Sequence, residues 1–311
     1  MAVSEPPIIP VICGPTAAGK TFAALCLAGS ADLTVISADS RQLYRGFDVG
    51  TAKPTPRDRE AVPHVGIDVL DPAERASAAW WAGMADGWIR DARAHGRAPV
   101  VVGGTGLYLR ALFGTLFQEP AIDPAQRRAL QAELAPLPLD ELRQRVERLD
   151  PPRAHLGRTQ LLRAIEIATL TGRRVSDLHR EQATAPRWRA RYLVVDPGPA
   201  LAGYIEERTR MMFTMGWREE VRGLMHRVPA DAPAWNATGY PVVRLVEQGV
   251  LTETDALEQV VIDTRQYAKR QRTWFRHQLR GEDVTRIDLQ PPDGEARLAA
   301  WWKGGEAKER S

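Results

Sequence analysis

Short apolar runs alternate with helical periodicity through the first third of the chain. Residues 8–12, 33–37, 65–70 and 99–102 read as strands, and 20–29, 77–94 and 106–113 carry the period of helices. Alternation of this kind predicts a parallel sheet covered by helices. From Pro120 the character changes. The stretch 124–182 is Leu- and Arg-rich and helical, and is broken only by turns such as Pro136-Leu137-Pro138 and Asp150-Pro151-Pro152. Residues 191–197 (Arg-Tyr-Leu-Val-Val-Asp-Pro) return to strand character, and the remainder reads as helices over 200–228, 241–249 and 253–280. The expected organisation is an α/β parallel-sheet core formed by 1–119 and 187–311, with a helical insertion at 120–186 and a helical C-terminal part. No internal repeat or low-complexity tract interrupts it.

The bulk numbers set limits. A chain of 311 residues can bury a full core, and 44% hydrophobic with 26% charged residues is ordinary for a soluble protein. A net charge of +3 is small, so an argument for nucleic acid must rest on where the cations sit. Cys13 and Cys26 are the only cysteines; both are expected to be small buried apolar residues, and with the six histidines they form no metal-ligand spacing. The first ten residues have no basic region, which excludes a signal peptide, and no apolar run reaches the ~18 residues of a membrane span. The expectation is a soluble cytoplasmic protein with no membrane partner, in which Asn236-Ala237-Thr238 is a sequon without use.

The first strand runs into Gly14-Pro15-Thr16-Ala17-Ala18-Gly19-Lys20-Thr21, which fits the phosphate-binding loop G-x-x-x-x-G-K-[ST] at every fixed position. The strand before it and the helix after it supply the required context. Glycines let consecutive N–H groups turn toward a polyanion, and the helix N-terminus adds partial positive charge. Lys20 brings a mobile cation to the terminal phosphates, and the Thr21 hydroxyl is placed to ligate Mg²⁺. The core is thus a P-loop sheet that handles a di- or triphosphate.

Ser37-Ala38-Asp39-Ser40-Arg41-Gln42 follows the second strand. Loops at the carboxyl ends of parallel strands line one crevice, so Asp39 should face the P-loop, to bind Mg²⁺, to accept a proton, or only to cap a turn. Gly103-Gly104-Thr105-Gly106 does not fit a dinucleotide fingerprint. It would bring backbone and the Thr105 hydroxyl close to the ligand, or Thr105 would cap the next helix. A nucleotide-hydrolysing P-loop protein usually carries an Asp at the end of such a strand, and here the strand runs into glycines instead. The helix at 253–280 carries Arg265, Lys269, Arg272, Arg276 and Arg280 at helical spacing, with Arg270, Tyr267, Gln271, Trp274 and Phe275 between them. Such a stripe suits phosphate-backbone contact and base stacking; a solvated face and a membrane-surface helix are the alternatives. Arg158, Arg163, Arg173 and Arg174 form a second cationic set in the insertion, and two sets beside a phosphate site favour a nucleic-acid substrate.

The stretches GPTAAGKT, SADSRQLYRGFDVGTAKPT, VVVGGTGLYLRAL, RAIE and TRQYAKRQRTWFR stand in the order and approximate spacing of the tRNA dimethylallyltransferase family, which the chain resembles from about residue 8 to 280. The resemblance implies that the P-loop binds dimethylallyl diphosphate, and that the five-carbon group passes to N6 of the adenosine 3′ of the anticodon in tRNA. It implies Asp39 as general base and Thr105 and Arg208 beside the reacting centre, Arg208 as a diphosphate ligand. Gly14 to Thr21 would hold the diphosphate, with Mg²⁺ on Thr21. Ser40, Arg41 and Gln42 would touch the target adenine and its neighbours, and Gln160, Arg163, Lys269, Arg272 and Arg276 the tRNA. The enzyme would act as a monomer. Gln160 stands where the family commonly has Arg, and Ala237-Thr238-Gly239-Tyr240-Pro241 where it commonly has I-G-Y-K. The rival readings are a P-loop small-molecule or nucleoside kinase, which needs no basic helix, and a non-enzymatic RNA-binding module, which leaves the P-loop and Asp39 unexplained.

Overall fold

The computed structural model describes residues 5–114, 120, 122–181 and 186–309. The chain divides into two compact units, Met1–Phe113 with Arg187–Ser311, and Gly114–Pro186.

The larger unit is built on six parallel strands: β1 (Ile8–Cys13), β2 (Leu33–Ser37), β3 (His64–Val65), β4 (Ala98–Gly103), β5 (Arg189–Val195) and β6 (Val284–Ile287). Their order across the sheet is β3-β2-β4-β1-β5-β6. In its first half run α1 (Lys20–Ala28), α2 (Pro56–Ala61), α3 (Ala78–Ala94) and α4 (Gly106–Phe113). The smaller unit holds α5 (Pro124–Leu134), α6 (Leu139–Leu149), α7 (Arg158–Thr171) and α8 (Val175–Glu181) around its own cluster, including Leu134, Leu142, Val146, Leu161, Ile165 and Leu178. The larger unit then continues with α9 (Leu201–Thr214), α10 (Trp217–Met225), α11 (Tyr240–Glu247), α12 (Glu253–Gln278) and α13 (Gly294–Glu309).

Both faces of the sheet are covered, as a parallel sheet requires. Ile9, Val11 and Cys13 of β1 point into the core shared with Trp81, Trp217 and Phe275. Ile12 points into the other, with Leu27, Leu201 and Trp301. Burial pushes the Cys13 thiol up to about 12, the state of an inert packing residue. Cys26 departs from expectation in being only half-buried.

Three elements differ from the sequence reading. The run 65–70 is a strand only at His64–Val65; Gly66 and Asp68 take positive φ (77° and 58°) and turn the chain, leaving a single bridge from Leu70 to Tyr44. The expected helix 200–228 is two helices, parted at Gly216 with φ 92°. The C-terminal part is not wholly helical, because β6 adds an edge strand. Arg191 of β5 helps hold the final helix, donating to the Trp301 carbonyl with its guanidinium 4.4 Å from the Trp301 ring centroid.

Candidate active site

The sheet order places the loops that follow β1, β2 and β4 side by side at one edge, the position where open parallel sheets bind ligands. The P-loop wraps the start of α1. Gly19 is the N-cap residue at φ 91°, a conformation that favours glycine, and no side chain caps this helix, so its first N–H groups are left for a ligand. Ala17 is also at positive φ, 62°. Lys20 Nζ donates to the Pro15 carbonyl at 2.7 Å, and Arg208 Nη2 reaches across from α9 to donate to Thr16 Oγ1 at 2.5 Å.

These groups line one cavity of about 370 Å³, which holds Thr16 to Thr21 together with Asp39, Gln42 and Arg208. A smaller branch beside it shares Thr16, Asp39, Thr51 and Arg208 and is walled by Met212, Trp217 and Val260. Burial lowers the Lys20 ammonium to about 8, with Asp39 opposing and Arg208 reinforcing the shift. Burial likewise lowers Arg208, and again Asp39 opposes. Two cations and one carboxylate thus face a confined space suited to a polyanion.

Asp39 has two roles open to it at once. Its Oδ1 accepts from the Arg41 N–H at 2.9 Å, the turn-capping reading, while the carboxylate still lines the cavity. The Thr105 hydroxyl accepts from the Ser40 N–H at 3.0 Å, and the Thr105 N–H donates to the Ala38 carbonyl at 3.1 Å, which locks the loops after β2 and β4 together. Thr105 Oγ1 is therefore used on the Ser40 loop. Tyr267, held up at about 12 mainly by burial and then by Asp39, hydrogen-bonds the Thr105 side chain from α12.

Some expected contacts are spent inside the protein. The Gln42 carboxamide accepts from Ser37 Oγ at 3.0 Å and donates to the Thr51 and Ala52 carbonyls at 3.3 and 3.2 Å, tying down the loop before α2. Arg163 pairs with the buried Glu166 at 2.8 Å, and Glu166 also accepts from Gln131 at 2.6 Å. Gln160 is exposed at the start of α7. Arg272 of the basic stripe is bound to Asp196 and the Gly198 carbonyl, and Arg265 to Glu206 at 3.1 Å. Among the described residues Lys269, Arg276 and Arg280 are exposed and pair with no carboxylate. The glycines at 104 and 106 have a packing role that the sequence does not signal. Side chains there would strike Gln271 and Trp274 of α12, so these two glycines seat a helix, while Gly103 of the same loop lines the cavity.

Residues that sequence reading did not assign to the site are Gln271, Tyr267, Lys53 and Trp217. Lys53 is buried and bridges Asp48 and Asp68 at 2.6 and 2.5 Å at the cavity wall. The role of Gln271 has no local signal, because its partners Thr16 and Gly104 lie 255 and 167 residues away.

The profile of the IPP transferase family matches residues 42–278, and that of isopentenyl transferase matches 7–68. The tRNA dimethylallyltransferase of Deinococcus radiodurans is 39% identical over 304 residues, 95% of this chain and 96% of the relative. That of Thermus thermophilus is 42% identical over 274 residues, 87% and 90% of the two chains. The crystal structure of the tRNA isopentenylpyrophosphate transferase of Bacillus halodurans superimposes with a TM-score of 0.69 at 29% identity, covering 98% of each chain. A eukaryotic dimethylallyltransferase acting on tRNA shares the fold, with a TM-score of 0.76 at 24% identity over 94% of this chain and 77% of that one.

Proposed function

The chain belongs to the IPP transferase family, and we propose that it moves the dimethylallyl group of dimethylallyl diphosphate to N6 of the adenosine 3′ of the anticodon in tRNA. The observation that carries this reading is the single cavity in which Lys20, Arg208 and the start of α1 face Asp39. Prenyl transfer needs that combination. The exocyclic amine is a poor nucleophile, so the allylic carbon must become electrophilic as its bond to oxygen breaks. The electron pair leaves with the diphosphate, whose growing charge Lys20 and Arg208 offset. The new C–N bond forms as Asp39 takes the N6 proton. The base has to leave the anticodon-loop stack to reach the cavity.

Mg²⁺ suits the donor set. The Thr21 hydroxyl opens on the same cavity as the Asp39 carboxylate, and a magnesium ion that takes few protein oxygens completes its shell from phosphate and water. When bound it would neutralise diphosphate charge. The exposed cations of α12 and the helical insertion are assigned to tRNA, and the enzyme to a monomeric cytoplasmic form.

The test is incubation of the protein with unmodified tRNA and radiolabelled dimethylallyl diphosphate, in parallel with labelled ATP. Label from the prenyl donor should enter tRNA at the adenosine beside the anticodon. Transfer of phosphate from ATP, with no prenyl transfer, would establish the kinase reading instead.

A further inference from the structure

Gln271 sits on α12 among the core-facing residues and is 7% exposed. Its carboxamide is used at both ends. Oε1 accepts from the Thr16 N–H at 2.8 Å, and Nε2 donates to the Gly104 carbonyl at 2.9 Å. One partner is a donor and the other an acceptor, so only one orientation of the amide satisfies both. The loops it joins leave the adjacent strands β1 and β4. The approach depends on the bare Gly104, where a Cβ would lie 2.4 Å from Nε2.

The consequence lies in the P-loop. With its own N–H bound to Gln271, Thr16 is fixed at the entrance of the loop, and its hydroxyl is presented to Arg208. The next residue, Ala17, holds unfavourable backbone at φ 62°, a shape that persists in a residue other than glycine only where surroundings impose it. We infer that Gln271 is a positioning residue for diphosphate binding: it clamps the P-loop in its anion-binding shape and, through Thr16, sets Arg208. The inference rests on the reading of residues 14–21 as the diphosphate site.

Two full-length variants test it, with inorganic diphosphate as the probe in calorimetric titrations between pH 4 and 9, a window that spans both the ordinary range of a carboxyl and the higher range that burial imposes on one. Gln271→Leu keeps the bulk and loses both hydrogen bonds without adding charge; it should weaken diphosphate binding roughly 10- to 100-fold, the span expected for one or two buried hydrogen bonds. Gln271→Glu can reproduce both bonds only while its carboxyl is protonated, one oxygen accepting from Thr16 and the O–H donating to Gly104. Its affinity relative to wild type should be near one at the acid end and fall as the carboxyl ionises. That recovery at acid pH is measurable even if the Leu variant does not fold. Wild-type affinity in the Leu variant, or a Glu-to-wild-type ratio that does not move with pH, overturns the inference. If the wild type binds diphosphate but transfers no prenyl group, the functional proposal fails while these affinities still decide the role of Gln271. If it binds no diphosphate, both fall.

Discussion

Asp39 and Lys20 each make a structural hydrogen bond at the site where chemistry is proposed for them. Because Asp39 caps the Arg41 N–H, its replacement by Ala would confound loss of a base with loss of a turn. Asp39→Asn keeps an acceptor for that N–H and removes only the basicity. It is expected to lower the single-turnover rate of prenyl transfer by about 10²–10⁴-fold with diphosphate binding retained; an unchanged rate would remove Asp39 from the proton transfer. Lys20 makes a pH prediction. Burial leaves its pKa near 8, and a bound diphosphate stabilises the ammonium and raises that value. Binding should therefore take up a proton above about pH 8, and affinity should fall as pH rises through that range, with little uptake at Lys20 near pH 6. Titration at pH 9 in buffers of different ionisation enthalpy measures the uptake. The diphosphate's own protonation is subtracted with Lys20→Arg, which stays charged throughout. Equal uptake in both proteins would show that Lys20 does not meet the diphosphate.

At the scale of elements, α12 is the instructive case. Its core stripe runs through Val260, Val261, Thr264, Ala268, Gln271 and Phe275, so cations at the margin of that stripe can reach carboxylates of the protein, and those further round cannot. Arg265 and Arg272, seven residues apart, take Glu206 and Asp196; Lys269 and Arg276, also seven apart, remain in solvent. Periodicity alone puts all of these on one broad face, and only the position of the partners divides them. Lys269→Ala with Arg276→Ala should weaken tRNA binding and flatten the slope of log affinity against log salt by roughly one, since each phosphate contact on a single strand contributes about 0.7. Arg272→Ala should leave that slope unchanged and cost about 0.5–1.5 kcal/mol of stability through the lost bonds to the partly exposed Asp196 and to the Gly198 carbonyl. Salt titrations of tRNA affinity and thermal melts of the two variants separate these outcomes. If Arg272→Ala alone flattened the slope, Arg272 and not Lys269 with Arg276 would be the phosphate contact. The same limit explains β6 and the lost strand at 65–70. Four edge residues with weak alternation give no clear period, and the apolar run after Val65 is overruled by the positive φ of Gly66 and Asp68.

For the whole molecule, the P-loop, the individual strands β1, β2, β4 and β5, and Asp39 at a strand's carboxyl end are legible because their signals lie in neighbours in sequence. Gln271, Tyr267 and the glycines that seat α12 are not, because the Gln271–Thr16 bond alone spans 255 residues. The division into units carries the last prediction. Among the described residues the cores around the sheet draw no buried member from 114–186, and the insertion has a cluster of its own backed by the Glu166 network. A core that does not use a segment should survive its removal. A variant in which a flexible Gly/Ser linker replaces 115–185 is thus expected to fold cooperatively and to bind inorganic diphosphate with an affinity within a few-fold of the full chain, because Lys20, Arg208, Gln271 and Asp39 all lie outside the deletion. Its affinity for tRNA should fall if the insertion's exposed cations contact the nucleic acid. Circular dichroism melts, diphosphate calorimetry and tRNA binding at fixed salt read the three properties separately. Undiminished tRNA affinity would assign the whole RNA contact to the larger unit and to α12, and loss of diphosphate binding would mean that the P-loop depends on a segment with which it shares no core.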